Sequence, residues 1–155
     1  MGLGLQDRVA IVAPASKGLE RAAAEELARE GAHVASSAVK QPVDGLLLSN
    51  SVRAAVTGLA RTLANEYAPF GIPANNVCPG YTQTARLDTL AKSISTRSDV
   101  KPEEVFADWA REIPAGRIGT PEEFAAVVAF PASQRTGYVN GNSIAVNGGL
   151  VRSLL

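Results

Sequence analysis

Apolar and polar positions along the chain change period several times, and each change marks an element. Arg8-Val9-Ala10-Ile11-Val12-Ala13 is a short apolar run with β-branched residues, the pattern of a strand covered on both faces. Pro14-Ala15-Ser16-Lys17-Gly18 follows as a turn. Leu19, Ala23 and Leu27 then share one stripe, and Arg21, Glu25 and Arg29 form an i,i+4 charged ladder, so a helix is predicted over about 19–30. Gly31 stops it, and His33-Val34-Ala35-Ser36 reads as a second short strand. After a loop at 41–45, helical spacing returns over about 48–68. Val52, Val56, Leu59 and Leu63 are predicted to face inward, with Ala54, Gly58, Arg61 and Asn65 on the other side. Pro69-Phe70-Gly71 closes this helix, and 72–78 reads as a third strand. Pro73 must stand at its start because it cannot donate to a ladder, and Pro79-Gly80 breaks it.

The second half is read in the same way. Helices are predicted around 85–95 and 102–112, within a segment at 81–118 whose Phe106 and Trp109 suit an apolar lid. Thr120-Pro121-Glu122-Glu123 places an N-cap, a helix-starting proline and two first-turn acids in order. That helix is expected to stop at Pro131, because an interior proline costs about 3 kcal/mol. Ser143-Ile144-Ala145-Val146 forms a last strand, closed by Gly148-Gly149. Strands alternating with helices imply a parallel α/β sheet in one domain over 1–155.

Composition changes this picture in one respect. Of 155 residues 46% are apolar, but 26 are alanine, so the core should be thin. The 15 basic and 15 acidic residues cancel, which leaves no basic surface for nucleic acid. The longest apolar run, 124–132, is too short for the roughly 20 residues of a membrane span. Met1-Gly2-Leu3-Gly4-Leu5-Gln6 lacks the marks of a leader, and the single Cys78 excludes an internal disulfide or a cysteine metal cluster. We therefore expect a cytoplasmic protein that binds no metal, nucleic acid or membrane.

The order and spacing of several segments carry more. Ala64-Asn65-Glu66-Tyr67-Ala68-Pro69-Phe70-Gly71-Ile72 leads to Asn75-Asn76-Val77-Cys78-Pro79-Gly80. Gly116-Arg117-Ile118-Gly119-Thr120-Pro121-Glu122-Glu123, then Tyr138-Val139-Asn140-Gly141 and Val146-Asn147-Gly148-Gly149, complete the series. Over about 46–150 this resembles the short-chain dehydrogenase/reductase family, nearest its 3-oxoacyl-carrier-protein-reductase-like branch. The resemblance implies a Rossmann-type, doubly wound parallel sheet, NAD or NADP, and hydride transfer to or from a carbonyl or alcohol substrate. It also implies that Gly80 and Tyr81 meet the nicotinamide carboxamide through backbone groups, and that Thr84 of Pro79-Gly80-Tyr81-Thr82-Gln83-Thr84 meets the diphosphate side.

Four departures from the family pattern bear on activity. The phosphate turn keeps only Gly18 of three glycines, with Ser16 and Lys17 as substitute phosphate donors. Pro14 and Glu20 stand at the other two glycine positions, where the first stiffens the turn and the second repels a pyrophosphate. The catalytic positions fall on Ser36, Ser49 and Arg53, where the family has serine, tyrosine and lysine. A serine hydroxyl is a poor substitute for a phenol, and Arg53 does not titrate, although it can hold ribose hydroxyls. About a hundred residues of the family's middle are absent between the second strand and the segment before Ser49. Pro131 is the fourth departure. Ser37 and Lys40 favour a 2′-phosphate, hence NADP.

Two readings stay open: an oxidoreductase impaired in this chain, or a non-catalytic relative, either a nucleotide-binding or assembly module or an inactive truncated family member. In either case the shortened sheet is expected to have about four strands in the order second, first, third, fourth. Shortening uncovers apolar surface, so a homo-oligomer is expected through helix 48–68 and the C-terminal strand.

Overall fold

A computed structural model of the protein describes residues 47–152. Four α-helices and two strands lie in this stretch: α1 (Leu47–Tyr67), β1 (Asn76–Pro79), α2 (Ala85–Ser98), α3 (Pro102–Glu112), α4 (Pro121–Ala132) and β2 (Ser143–Val146). The predicted strands at 8–13 and 33–36 and the helix at 19–30 lie outside the described residues.

Helix α1 ends as its sequence dictates. Pro69 starts a single 3₁₀ turn, Ala68–Phe70, and Gly71 takes the left-handed conformation (φ 72°), donating to the Ala68 carbonyl at 3.0 Å. The face it buries differs from the expectation. Ala64 is 1% exposed, whereas Leu59 and Leu63, expected inward, are 58% and 37% exposed. The reason lies in what α1 docks against. The Asn140 amide donates to the Ala64 carbonyl at 2.8 Å and the Arg61 guanidinium donates to the Gly141 carbonyl. Among the described residues, these contacts to a polar segment set the rotation of the helix.

The third strand is shorter than predicted, 76–79 rather than 72–78. Pro73 has no donor, and the peptide of Ala74 is used elsewhere: its N–H donates to Asn140 Oδ1 (2.9 Å) and its carbonyl accepts from Gly141 (2.9 Å). The ladder starts where the Asn76 N–H reaches the Asn142 carbonyl at 2.8 Å. Strands β1 and β2 are neighbours and parallel, with Asn76 opposite Ser143 and Pro79 opposite Val146. This is the adjacency the expected strand order requires of its third and fourth members. Asn76, Val77 and Cys78 are all buried, as in a parallel strand covered on both faces, and α4 packs on β1.

Between the strands, α2 and α3 pack together. Leu87 and Ala91 of α2, and Val105 and Trp109 of α3, each one turn apart, form one cluster that Ile118 also joins. Helix α4 opens on a full capping box, in which Glu123 N–H donates to Thr120 Oγ1 (3.3 Å) and Thr120 N–H donates to the Glu123 carboxylate (2.8 Å). It continues through Pro131 to Ala132 rather than stopping short. Pro131 sits in the last turn, where one lost hydrogen bond costs least, and its ring is buried beside Val128 and Ala129 in the helix's apolar set. Phe124, 1% exposed, anchors α4 in the core. Four of the twelve buried apolar residues described are alanines, so this core is thin, as composition predicts. No helix among the described residues is long and apolar enough to cross a membrane.

Candidate functional site

The C-terminal ends of β1 and β2 meet at the Pro-Gly corner. Gly80 N–H donates to the Val146 carbonyl at 2.9 Å, extending the ladder by one residue. A Cβ on Gly80 would stand 2.6 Å from Asn147 Cβ and 2.8 Å from its Cα, so only glycine lets the two backbones approach this closely. Gly148, in the left-handed region (φ 63°), turns its carbonyl to accept from Ala115 N–H at 3.0 Å. Three separated sequence segments, 79–84, 113–120 and 146–149, are thus joined by main-chain bonds. Together with Glu123 they line an open cleft of about 140 Å³, with Tyr81, Thr82, Arg117 and Asn147 among its walls.

Within the loop at 80–84 the backbone is already partly committed. Thr82 forms a parallel bridge with Gly119: Gly119 N–H donates to the Tyr81 carbonyl (3.1 Å), and Gln83 N–H donates to the Gly119 carbonyl (2.9 Å). In such a bridge the residue between the two bonded peptides turns its own N–H and C=O away from the partner. Thr82 is buried, and among the described residues its N–H and C=O have no backbone partner; its hydroxyl donates to the Gly80 carbonyl at 3.3 Å. Gly80 N–H and Tyr81 C=O, by contrast, are spent on Val146 and Gly119. Thr82 was not singled out by sequence reasoning, because a main-chain bridge leaves no side-chain signature.

Three side chains of the loop, Tyr81, Gln83 and Thr84, reach helices α2 and α3. The Tyr81 ring stacks on Trp109 (5.1 Å between centroids, 15° between planes), and Phe106 meets Trp109 edge-on at 5.4 Å. Burial, and then the charge of Glu112, raise the Tyr81 phenol above its ordinary pKa, so it remains protonated. Thr84 caps α2, its hydroxyl accepting from Leu87 N–H at 3.4 Å. Glu123 is held down to a pKa of about 2, first by hydrogen bonding from the Arg117 guanidinium and then by the Thr120 amide.

Of the other predicted site residues, Ser49 and Arg53 lie one turn apart near the start of α1. They are at the opposite end of the helix from Ala64, which is about 20 Å further along the axis and bonds the segment leading into β2. Ser16, Lys17, Gly18 and Ser36 lie outside the described residues, as do Ser37 and Lys40.

Comparison with known proteins decides the family. The family model described as enoyl-(acyl carrier protein) reductase matches residues 21–151, most of the chain. The chain belongs to the short-chain dehydrogenase/reductase family. Its relatives include the short-chain reductase protein NovJ of Streptomyces niveus, 38% identical over 99 residues that make up 64% of this chain and 36% of that protein. The putative ketoacyl reductase of the monensin polyketide synthase from Streptomyces virginiae is 34% identical over 118 residues, 76% of this chain and 45% of the relative. The chain therefore spans less than half the length of these relatives. Among solved structures, an actinorhodin polyketide ketoreductase with NADPH matches with a TM-score of 0.72 at 29% identity, over 79% of this chain and 48% of that one. The ligand-free aldohexose dehydrogenase of Thermoplasma acidophilum matches with a TM-score of 0.82 at 21% identity, covering 97% of each chain, a likeness of fold. This short-chain dehydrogenase/reductase family member has the Rossmann-type α/β fold of its neighbours.

Proposed function

We propose that this chain binds NAD(P)H beside the Pro-Gly corner and acts on a carbonyl or alcohol of the 3-oxoacyl type, with proton delivery impaired. One observation carries the reading: Thr82 is buried at the C-terminal end of the sheet, yet its N–H and C=O have no backbone partner among the described residues. Buried backbone groups are rarely left unpaired, and parallel α/β sheets bind ligands outside these strand ends. A donor and an acceptor on one residue match the two halves of a carboxamide, so the nicotinamide end of a dinucleotide fits here. When bound, that group supplies or accepts the hydride.

The family resemblance placed this contact on Gly80 and Tyr81; we assign it to Thr82, since the Gly80 N–H and the Tyr81 C=O are already bonded. Thr84, at the α2 N-cap, lies on the side where the diphosphate would run. Ser16, Lys17 and Gly18 would hold the phosphates, and Ser37 with Lys40 favours NADP. Arg53 would hold ribose hydroxyls, while Ser36 orients the substrate oxygen. Ser49 stands in the tyrosine's place with a hydroxyl too weakly acidic to act as an efficient proton donor. The substrate class rests on the ketoacyl and polyketide ketoreductase relatives.

Ser49 also favours a second reading, a nucleotide-binding module without chemistry. Fluorescence titration with NADPH, followed by turnover assays on β-ketoacyl thioesters and simple ketones, separates the two. We expect binding with slow turnover that Ser49→Tyr with Arg53→Lys raises by about 10²–10⁴, the usual worth of a positioned general acid. Binding with no turnover in either form leaves the module, and no binding at millimolar NADPH removes both. We further propose one domain over 1–155, a cytoplasmic setting, and association with a second copy through α1 and the C-terminal strand.

A further inference from the structure

One carboxylate on α4 does more than cap its own helix. Glu123 accepts from Thr120 N–H (2.8 Å) and from both terminal nitrogens of Arg117, one of them at 2.9 Å. The only residues between these two donors are Ile118 and Gly119. The carboxylate therefore closes a ring around that dipeptide, held by a guanidinium on one side and a backbone amide on the other. Arg117 also donates to the Ile118 carbonyl at 3.3 Å, and Ile118 packs on the Leu87, Ala91, Val105 and Trp109 cluster.

Gly119 is the residue that holds the ligand-facing loop. Its N–H and C=O make the two main-chain bonds to Tyr81 and Gln83 that flank Thr82. We propose that Arg117 and Glu123 are positioning residues: their pair fixes Gly119 against the 80–84 loop and so sets where the Thr82 N–H and C=O point. This rests on the proposed function only in naming what Thr82 meets. Neither side chain needs to touch the ligand. The pair is forked, which fixes orientation as well as distance, and a lysine at 117 would not reproduce the fork. Both side chains are about half exposed, and such pairs add little to global stability, so substitution should leave the fold standing.

The test measures the loop directly and the ligand separately. In Arg117→Gln the capping box of α4 is intact. Amide exchange at Gln83 and Gly119 should become roughly tenfold faster, while amides inside α4 such as Val128 keep their wild-type rates. The NADPH dissociation constant should rise about threefold to tenfold, with Arg117→Lys in between. Glu123→Gln, which still reaches the Thr120 amide, should behave like Arg117→Gln. A merely structural pair would instead speed exchange throughout α4, without singling out the loop. Unchanged exchange at Gln83 and Gly119 would overturn the proposal, as would faster exchange with unaltered NADPH affinity. If the wild-type chain binds no NADPH, the functional reading fails by itself, and the exchange arm alone decides the role of the pair.

Discussion

Gly80 is the residue on which the corner turns, because the gap it fills is bounded by backbone. A methyl group there must move Asn147 Cα, 2.8 Å away, rather than a pliant side chain. Gly80→Ala should therefore cost about 1–3 kcal/mol, read as a lowered urea midpoint, and should shift the amides of Asn147 and Gly148. Glu123 has a different signature. Its folded pKa of about 2 lies below the ordinary carboxylate value, so its contribution is fully present above about pH 4.5 and is lost as pH falls towards 2. Glu123→Gln should remove that part of the acid sensitivity, seen by comparing melting temperatures at pH 7 and pH 3. These two roles differ in legibility. Glycine after proline announced the corner, and Thr120 three residues before Glu123 announced the cap, because both are side-chain requirements of local geometry. Thr82 announced nothing, since its role lies in peptide groups every residue has.

Helix boundaries were legible where caps set them. Helix α3 spans Pro102–Glu112, the predicted 102–112, because Pro102 and the first-turn acids Glu103 and Glu104 fix its start. Helix α2 outlasts its predicted end near 95 and runs to Ser98, closed by Asp99 in the left-handed conformation (φ 53°). An aspartate stop is weaker in sequence than a glycine stop. The orientation of α1 was not legible, because its partner at Asn140 and Gly141 is polar and distant in sequence. Phe124 is the large side chain that ties α4 to the core, so Phe124→Ala should destabilise by about 3–5 kcal/mol, visible in thermal unfolding. Thr120→Ala, which removes the cap alone, should cost nearer 1 kcal/mol.

At the scale of the molecule, the sequence conveyed the fold class through alternating strands and helices. The order of its third and fourth strands appears as the parallel pair β1–β2. What it did not convey is which face of α1 stays uncovered. Leu59, Leu63 and Tyr67 repeat every fourth residue along α1 and are exposed, and Phe70 beyond them is 75% exposed. A stripe of this kind suits a second copy of the chain. Light scattering should give a dimer or larger species that Leu59→Glu converts to monomer, and a folded wild-type monomer at high concentration would contradict it.

The central claim is that the Thr82 peptide faces a dinucleotide. Its most direct test is a heteronuclear NMR titration of the labelled protein with NADPH. The Thr82 amide, with those of Gly80 to Thr84, should shift saturably and become protected from exchange. Saturable shifts elsewhere that leave Thr82 unmoved, or no shift anywhere at millimolar NADPH, would contradict the account.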